Sequence, residues 1–217
     1  MTPSPATPGP RGLSEDQIAG EPMAQFARWM DDALASGLPE PTAMVLSTIT
    51  AEGRPRARTV LLKAHDRAGF TFYSNRTSRK GRELAGNPSA CLVFPWYGIE
   101  RQVIVEGKVR ELSQAESEPY YRSRPRLSQI GAWASRQSTV IASRAVLDDR
   151  VAELERRWPE PGQVPMPDFW GGYLLEPDAV EFWQAGAFRL HDRLRYRRVV
   201  RGAGEAGGGW AVDRLSP

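Results

Sequence analysis

Residues 43 to 75 read AMVLSTITAEGRPRARTVLLKAHDRAGFTFYSN. They contain three β-rich runs, Ala43–Thr50, Ala57–Ala64 and Phe70–Asn75, separated by the turn-forming segments Ala51-Glu52-Gly53 and Arg67-Ala68-Gly69. Connections this short join antiparallel neighbours, since a parallel crossover needs about a dozen residues or more. The meander continues outward. Ala90–Trp96 and Arg101–Leu112 follow, then Tyr173–Leu175, Ala179–Gln184 and Leu190–Val200, and the glycine-rich Gly202–Gly209 reads as a hairpin turn into Trp210–Leu215.

Helical patterns punctuate the strands. Phe26, Met30 and Leu34 lie on one face of a helix over about Met23–Ser36, stopped by Gly37. Ser78 opens a short helix that ends before Asn87-Pro88, and Ser113 with Glu116 forms a capping-box pattern for a helix reaching about Ser123. Ser14 with Gln17 repeats that pattern near the start. Leu147, Val151, Leu154 and Trp158 recur at helical spacing behind Ser143, and the proline-rich Pro159–Pro167 is a loop. The predicted fold is mainly β with helices: an antiparallel barrel, closed or nearly so.

The 217 residues, 41% hydrophobic and 25% charged, suit a single domain over residues 14–217 behind a proline-rich tail at 1–13 that is expected to be disordered. Net charge is only +3, with 29 basic residues nearly matched by 26 acidic ones, so general nucleic-acid affinity is not implied. Only Lys63, Lys80 and Lys108 are lysines, so the guanidinium fork is the main tool for binding anions. Cys91, the sole cysteine, sits in the apolar run Ala90–Phe94; it permits neither an internal disulfide nor a cysteine metal cluster. No stretch is apolar enough to span a bilayer, and the expected location is cytoplasmic. The one G-x-G-x-x-G run, Gly202–Gly207, joins two predicted strands and opens no helix, and there is no G-x-x-x-x-G-K-[ST] loop, which leaves Rossmann and P-loop nucleotide sites unsupported.

The segment richest in chemistry is Glu181-Phe182-Trp183-Gln184, four residues, then Arg189-Leu190-His191-Asp192-Arg193. Strand alternation would present Arg189, His191 and Arg193 on one side and Leu190 and Asp192 on the other. The ordinary reading of such a cluster is a solvated ladder of ion pairs. His65, the only other histidine, reads as a surface residue beside Asp66.

This segment resembles the C-terminal signature of the pyridoxamine 5′-phosphate oxidase family. Further blocks resemble that family in the same order: Arg58-Thr59-Val60-Leu61-Leu62-Lys63, Phe72-Tyr73-Ser74-Asn75, Ser78-Arg79-Lys80, Glu100-Arg101-Gln102-Val103, Ser123-Arg124-Pro125-Arg126, Ser128-Gln129-Ile130-Gly131-Ala132-Trp133, Gln137-Ser138 and Phe169-Trp170-Gly171-Gly172. Together they span about Pro41 to Pro217. The resemblance implies a split β-barrel that forms a homodimer and holds flavin mononucleotide (FMN) in clefts at the subunit interface, with no role for nucleic acid, membrane or metal.

By position within these motifs, the resemblance implies FMN contacts from Arg58, Lys63, Tyr73, Ser74, Arg79, Lys80, Gln102, Gln137, Ser138, Trp183 and Arg193. It implies a substrate-phosphate pocket from Lys63, Tyr120, Arg124 and Ser128, with Arg189 and His191 against the substrate ring as the catalytic pair. The residue types agree: cations and hydroxyls suit phosphate, and an amide can both donate to and accept from the flavin's polar edge. Each residue taken singly also has a plain structural reading. Arg79 and Lys80 could be the first turn of a helix and Gln102 a cross-strand residue, while Tyr121 competes with Tyr120 for its register. An unbroken strand would place Arg58 and Lys63 on opposite faces, so a shared ligand requires a bulge, twist or bend between them.

The implied reaction oxidises pyridoxamine or pyridoxine 5′-phosphate to pyridoxal 5′-phosphate by hydride transfer from C4′ to flavin N5, with dioxygen reoxidising the flavin to give hydrogen peroxide. Two positions depart from the family pattern: Leu127 replaces a small or polar residue, and Ala187-Phe188 replaces a polar pair. They keep two alternatives open, a related FMN oxidase of another aromatic, phenazine-type compound, and a non-catalytic flavin- or pyridoxal-phosphate-binding protein.

Overall fold

The computed structural model describes residues 12–199 and 209–217. Helix α1 (Pro22–Ala35) is followed by β1 (Ala43–Ile49), β2 (Pro55–Leu61), β3 (Ala64–Asp66), β4 (Gly69–Asn75), α2 (Arg79–Gly86), β5 (Ser89–Trp96) and β6 (Arg101–Glu111). Then come α3 (Gln114–Ser123), α4 (Arg126–Ala134), α5 (Ala145–Arg157), β7 (Trp170–Gln184), β8 (Asp192–Val199) and β9 (Gly209–Arg214). None of these helices is long and apolar enough to cross a membrane.

The strands form one antiparallel sheet in the order β2-β1-β5-β6-β7-β4-β3, with β8 also on β7 and β9 on β8. The 15-residue β7 makes this possible. One edge pairs with β6, while the other pairs with β4 over Trp170–Leu175 and with β8 over Ala179–Gln184. The sheet therefore divides along β7. At the division the register slips between Glu106 and Gly107, which face Ala179 and Pro177 and leave Asp178 without a partner in the register. A Cβ on Gly107 would lie 2.1 Å from the Glu176 carbonyl oxygen, so only glycine fits there.

Helix α1 caps the curled sheet. Its Phe26, Trp29, Met30 and Ala33 are buried, and Phe26 meets Phe70, Phe94, Trp96 and His65 ring to ring. Each such side chain contributes about 1.5–3 kcal/mol by leaving water, which outweighs the weak propensity of a helix whose N-cap Glu21 makes no side-chain capping bond. His65 is thus half-buried against Phe26 and not a surface residue, and burial lowers its pKa. A smaller core of Ile130, Ala134, Leu154 and Val164, flanked by Trp133 and Trp158, fastens α4 to α5 and to the proline-rich loop.

Several expectations change. The Ser14/Gln17 pattern starts no helix: Gln17 N–H donates to the Ser14 carbonyl in a single turn, and Ser14 Oγ is taken by Asp16. Leu13, assigned to the tail by composition, is in the core, with its N–H donating to Asp192. Residues 1–11, and 202–208 of the turn expected at Gly202–Gly209, lie outside the described residues. Helix α4 had no sequence signal, because Pro125 precedes it without a side-chain cap and Gly131 interrupts its pattern. Glu176-Pro177-Asp178 reads as a break between two strands; it is the bend inside one. The Ser113/Glu116 capping box forms as expected, with both reciprocal bonds present.

Candidate active site

Apart from Lys63, the predicted site residues fall into two groups on one chain. The first surrounds two neighbouring cavities that share Gln137. One, of about 530 Å³, is lined by Arg56, Ala57, Arg58, Arg79, Lys80, Gln137 and Ser138. The other, of about 300 Å³, is lined by residues that include Tyr73, Ser74, Arg124, Ser128, Gln137 and Trp170.

Local structure explains the first cavity. Ser78 caps α2 by accepting from Gly81 N–H, which sets Arg79 and Lys80 in the opening turn. Lys80 is only 9% exposed, which excludes the plain basic helix surface. Its Nζ donates to Gln137 Oε1 at 2.8 Å and to Ser74 Oγ at 3.1 Å, drawing β4, α2 and the segment after α4 together. Burial, and then the neighbouring Arg58 charge, push the Lys80 pKa down. Arg79 N–H donates to Ser138 Oγ, and Ser138 holds a left-handed φ of 73°. Four cations border this cavity, and the carboxylate that answers them is Glu83, paired with Arg58 at 2.9 Å and Arg56 at 3.7 Å. Such a surplus of donors suits a phosphate monoester, which carries close to two negative charges.

The second cavity has an aromatic wall. Tyr120 stacks on Tyr73 at 4.1 Å, and Trp170 stacks on Tyr73 at 5.3 Å. The Arg124 guanidinium lies 4.9 Å from the Trp170 ring centre, and its buried Nη1 has no hydrogen-bond partner. Leaving a buried donor unanswered costs about 1–3 kcal/mol, so this geometry calls for an acceptor from outside the chain. Tyr121, the register competitor, is buried, with its hydroxyl 3.0 Å from the Pro165 carbonyl oxygen and 3.2 Å from that of Gln129.

Lys63 stands apart. Strand β2 ends at Leu61, so Lys63 falls in the break before β3 with an exposed side chain, and its N–H donates to the Thr71 carbonyl. The break removes the strand-parity conflict with Arg58. No contact among the described residues joins Lys63 to Tyr120, Arg124 or Ser128.

The second group lies where β6, β7 and β8 run side by side. Gln102 pairs with Trp183, and Trp183 with Arg193, so three predicted FMN contacts form one row across the sheet. Arg193 is already engaged, with Nε and Nη2 on the Glu181 carboxylate at 2.8 and 3.1 Å and Nη1 on the Ser216 carbonyl. The Glu181 partnership raises its pKa. His191 sits 4.6 Å from the Trp183 ring centre, and its Nδ1 accepts from Gly186 N–H at 3.2 Å.

The alternation expected for 189–193 fails at its start. Residues 187–189 form a 3-10 turn, with Phe188 and Arg189 at positive φ of 56° and 64°, and the strand begins only at Asp192. A Cβ on Gly186 would lie 1.9 Å from the Leu190 carbonyl oxygen, so this turn closes only with glycine. Arg189 is exposed, as are Phe188 at 95% and Leu190 at 70%. Asp192 instead ties Leu13 and Arg214 together.

Sequence reasoning missed Thr48 and Glu83 beside Arg58. Glu83 is visible as the residue three after Lys80, but its pairing with Arg58 spans 25 residues and needs the fold. Trp170 stood in a quoted motif without a role; its ring now backs both Tyr73 and Arg124.

Comparison with known proteins defines the class first. The chain has the split-barrel fold of a pyridoxamine 5′-phosphate oxidase-related, FMN-binding protein from Nostoc punctiforme PCC 73102, at a TM-score of 0.69 and 16% identity over 88% of this chain and 97% of that one. The crystal structure of PhzG from Burkholderia lata 383, in complex with tetrahydrophenazine-1-carboxylic acid, matches with a TM-score of 0.85 and 31% identity over 95% of this chain and 98% of that one. Residues 30–157 match the family described as pyridoxamine 5′-phosphate oxidase, and residues 170–217 match the pyridoxine 5′-phosphate oxidase C-terminal dimerisation region. The pyridoxine/pyridoxamine 5′-phosphate oxidase of Frankia alni is 56% identical over 94% of this chain and 84% of its own length, and that of Salinispora arenicola is 52% identical over 95% and 90%. The chain belongs to the pyridoxamine 5′-phosphate oxidase family.

Proposed function

We propose that this chain is an FMN-dependent oxidase that converts pyridoxamine 5′-phosphate or pyridoxine 5′-phosphate to pyridoxal 5′-phosphate, with dioxygen as acceptor and hydrogen peroxide as product. The observation that carries the reading is the pair of anion cradles sharing Gln137, one cationic and one aromatic-walled around an unanswered Arg124. Two phosphate-bearing molecules held side by side need this arrangement, since anchoring both converts an encounter into an oriented contact.

The residues present fit FMN. Arg58, Arg79, Lys80 and Ser138 would hold its phosphate, with Tyr73, Ser74 and Gln137 beside them, while Arg124, Ser128 and Tyr120 would hold the substrate phosphate. When bound, FMN supplies the redox chemistry, taking up the electron pair from the substrate and passing it to dioxygen. Gln102, Trp183, Arg193, Arg189 and His191 sit in the second group, within the region matching the family's dimerisation segment or paired to it. In a homodimer this group would face the cavities of the other chain, so each site would draw on both subunits.

The turn at 186–191 supports a positioning role for His191. With Nδ1 accepting from Gly186, Nε2 is the ring nitrogen left to meet a ligand. His191 and Arg189 would then orient the reacting nitrogen or oxygen of the substrate.

The test is to purify the protein, record the flavin spectrum, add pyridoxine 5′-phosphate under air and follow pyridoxal 5′-phosphate and peroxide. Equal amounts of the two products are expected. A protein that binds no FMN overturns the reading, and FMN binding without peroxide leaves a non-catalytic binder. A second reading, oxidation of a phenazine-type substrate, has support in the match to PhzG and in exposed Leu127 and Phe188. The higher identity of the vitamin B6 oxidases weighs against it.

A further inference from the structure

Arg58, Thr48 and Glu83 close a hydrogen-bonded ring beneath the larger cavity. Arg58 Nη1 donates to Thr48 Oγ1, Thr48 Oγ1 donates to Glu83 Oε2 at 2.6 Å, and Arg58 Nη2 donates to the same Oε2 at 2.9 Å. Arg58 Nη1 also donates to the Leu46 carbonyl at 3.2 Å. The ring is shielded: Thr48 is 1% exposed and Glu83 9%. It joins three elements, because Thr48 is on β1, Arg58 on β2 and Glu83 on α2, the helix that carries Arg79 and Lys80. Arg56, the cross-strand partner of Thr48, is drawn toward the other carboxylate oxygen, Glu83 Oε1, at 3.7 Å.

A carboxylate facing a phosphate cradle is unfavourable on charge alone, because it cancels one of the four cations that border the cavity and would repel the ligand. What it gives in return is geometry. An arginine on an exposed edge strand has many rotamers, and one held at Nη1 and Nη2 has few, so its remaining N–H groups point in a fixed direction before a ligand arrives. We propose that Glu83 and Thr48 are positioning residues for phosphate recognition, holding Arg58 preset so that the cavity selects FMN over the same flavin without its phosphate. This rests on the flavin reading given above.

Charge and geometry predict opposite outcomes. Glu83→Gln keeps the shape and removes the negative charge; if Glu83 acted through charge alone, FMN would bind more tightly. Thr48→Val keeps shape and charge and removes the bridging hydroxyl; on the charge account it would change nothing. The positioning account predicts that both variants bind FMN about tenfold more weakly, the order of one charge-assisted hydrogen bond, while riboflavin affinity stays within about twofold. Thr48→Ser restores the hydroxyl and should keep the wild-type preference.

The experiment measures quenching of flavin fluorescence on binding, with FMN and riboflavin in parallel, for full-length wild type and the three variants. A collapsed FMN-to-riboflavin preference in Glu83→Gln and Thr48→Val, with Thr48→Ser unaffected, is the expected result. Unchanged or tighter FMN binding in either, or equal losses for both flavins, overturns the proposal. If Glu83→Gln does not fold, the Thr48→Val and Thr48→Ser pair decides it. A wild-type protein that binds neither flavin overturns the flavin reading itself and this proposal with it; a wild type that binds both equally overturns the proposal alone.

Discussion

The two groups of site residues are built in contrasting ways. Around the larger cavity, Lys80 and Arg58 are held by hydrogen bonds to β1, β4, α2 and Gln137, and much of their surface is buried. Around the 186–191 turn, Arg189 and Phe188 stand exposed on a backbone with positive φ, and His191 is held by one hydrogen bond from Gly186 and by the Trp183 ring. On the proposed reading, one chain therefore finishes the anchor and leaves the reactive end open. An exposed phenylalanine in a left-handed conformation costs about 1–3 kcal/mol of backbone energy and recovers nothing from packing within this chain. Such a turn makes sense where a second surface completes it.

Changes at the reactive end should separate from changes at the anchor, and the largest difference is expected from Arg189→Ala. It should lower turnover about a hundredfold or more while FMN stays bound, since its contact is made with the reacting group. Steady-state kinetics with a flavin spectrum reads both; equal loss of FMN would place Arg189 in the anchor. Arg124→Ala should lower kcat/KM by about thirtyfold or more, chiefly through KM, because the substrate phosphate loses its guanidinium. A loss confined to kcat would move Arg124 out of the capture site.

Gly186→Ala sharpens the contrast further. The added Cβ collides with the Leu190 carbonyl, so the turn must open and His191 loses its Nδ1 partner. About a tenfold fall in kcat is expected, with FMN affinity unchanged. The smallest effect belongs to Phe188→Gly, which relieves the positive φ. It should raise the melting temperature of the monomeric protein by about a degree or two, because less than about 1 kcal/mol of strain remains after the added freedom of the unfolded chain. A lower melting temperature would mean that Phe188 packs on something within its own chain.

Much of this was legible in residues 43–75, where short turns between β-rich runs already imply an antiparallel meander. Capping residues Ser78 and Ser113 placed two helix starts correctly because a cap is a local interaction. What escaped was set by distance along the chain. The bend at Glu176-Pro177-Asp178 looks like a turn until Gly107 is seen to admit it, and α4 is a helix because Ile130 and Ala134 meet Leu154 and Val164. Strand alternation predicted from Arg189 onward begins only at Asp192, because positive φ at phenylalanine and arginine has no sequence signature. Motif positions located the lining of both cavities, whereas the Arg58–Thr48–Glu83 ring depends on three elements meeting.

Each site is proposed to be completed by two chains, and mixing subunits tests that most directly. A chain carrying Arg124→Ala and a chain carrying Arg189→Ala, each nearly inactive alone, are unfolded together, refolded as mixed dimers with FMN, and assayed for peroxide with pyridoxine 5′-phosphate. If anchor and reactive turn come from different chains, a mixed dimer holds one intact site, and about a quarter of wild-type activity returns in an equal mixture. If both groups serve the same chain's site, every site in the mixture carries a lesion and no activity returns, which would contradict the account.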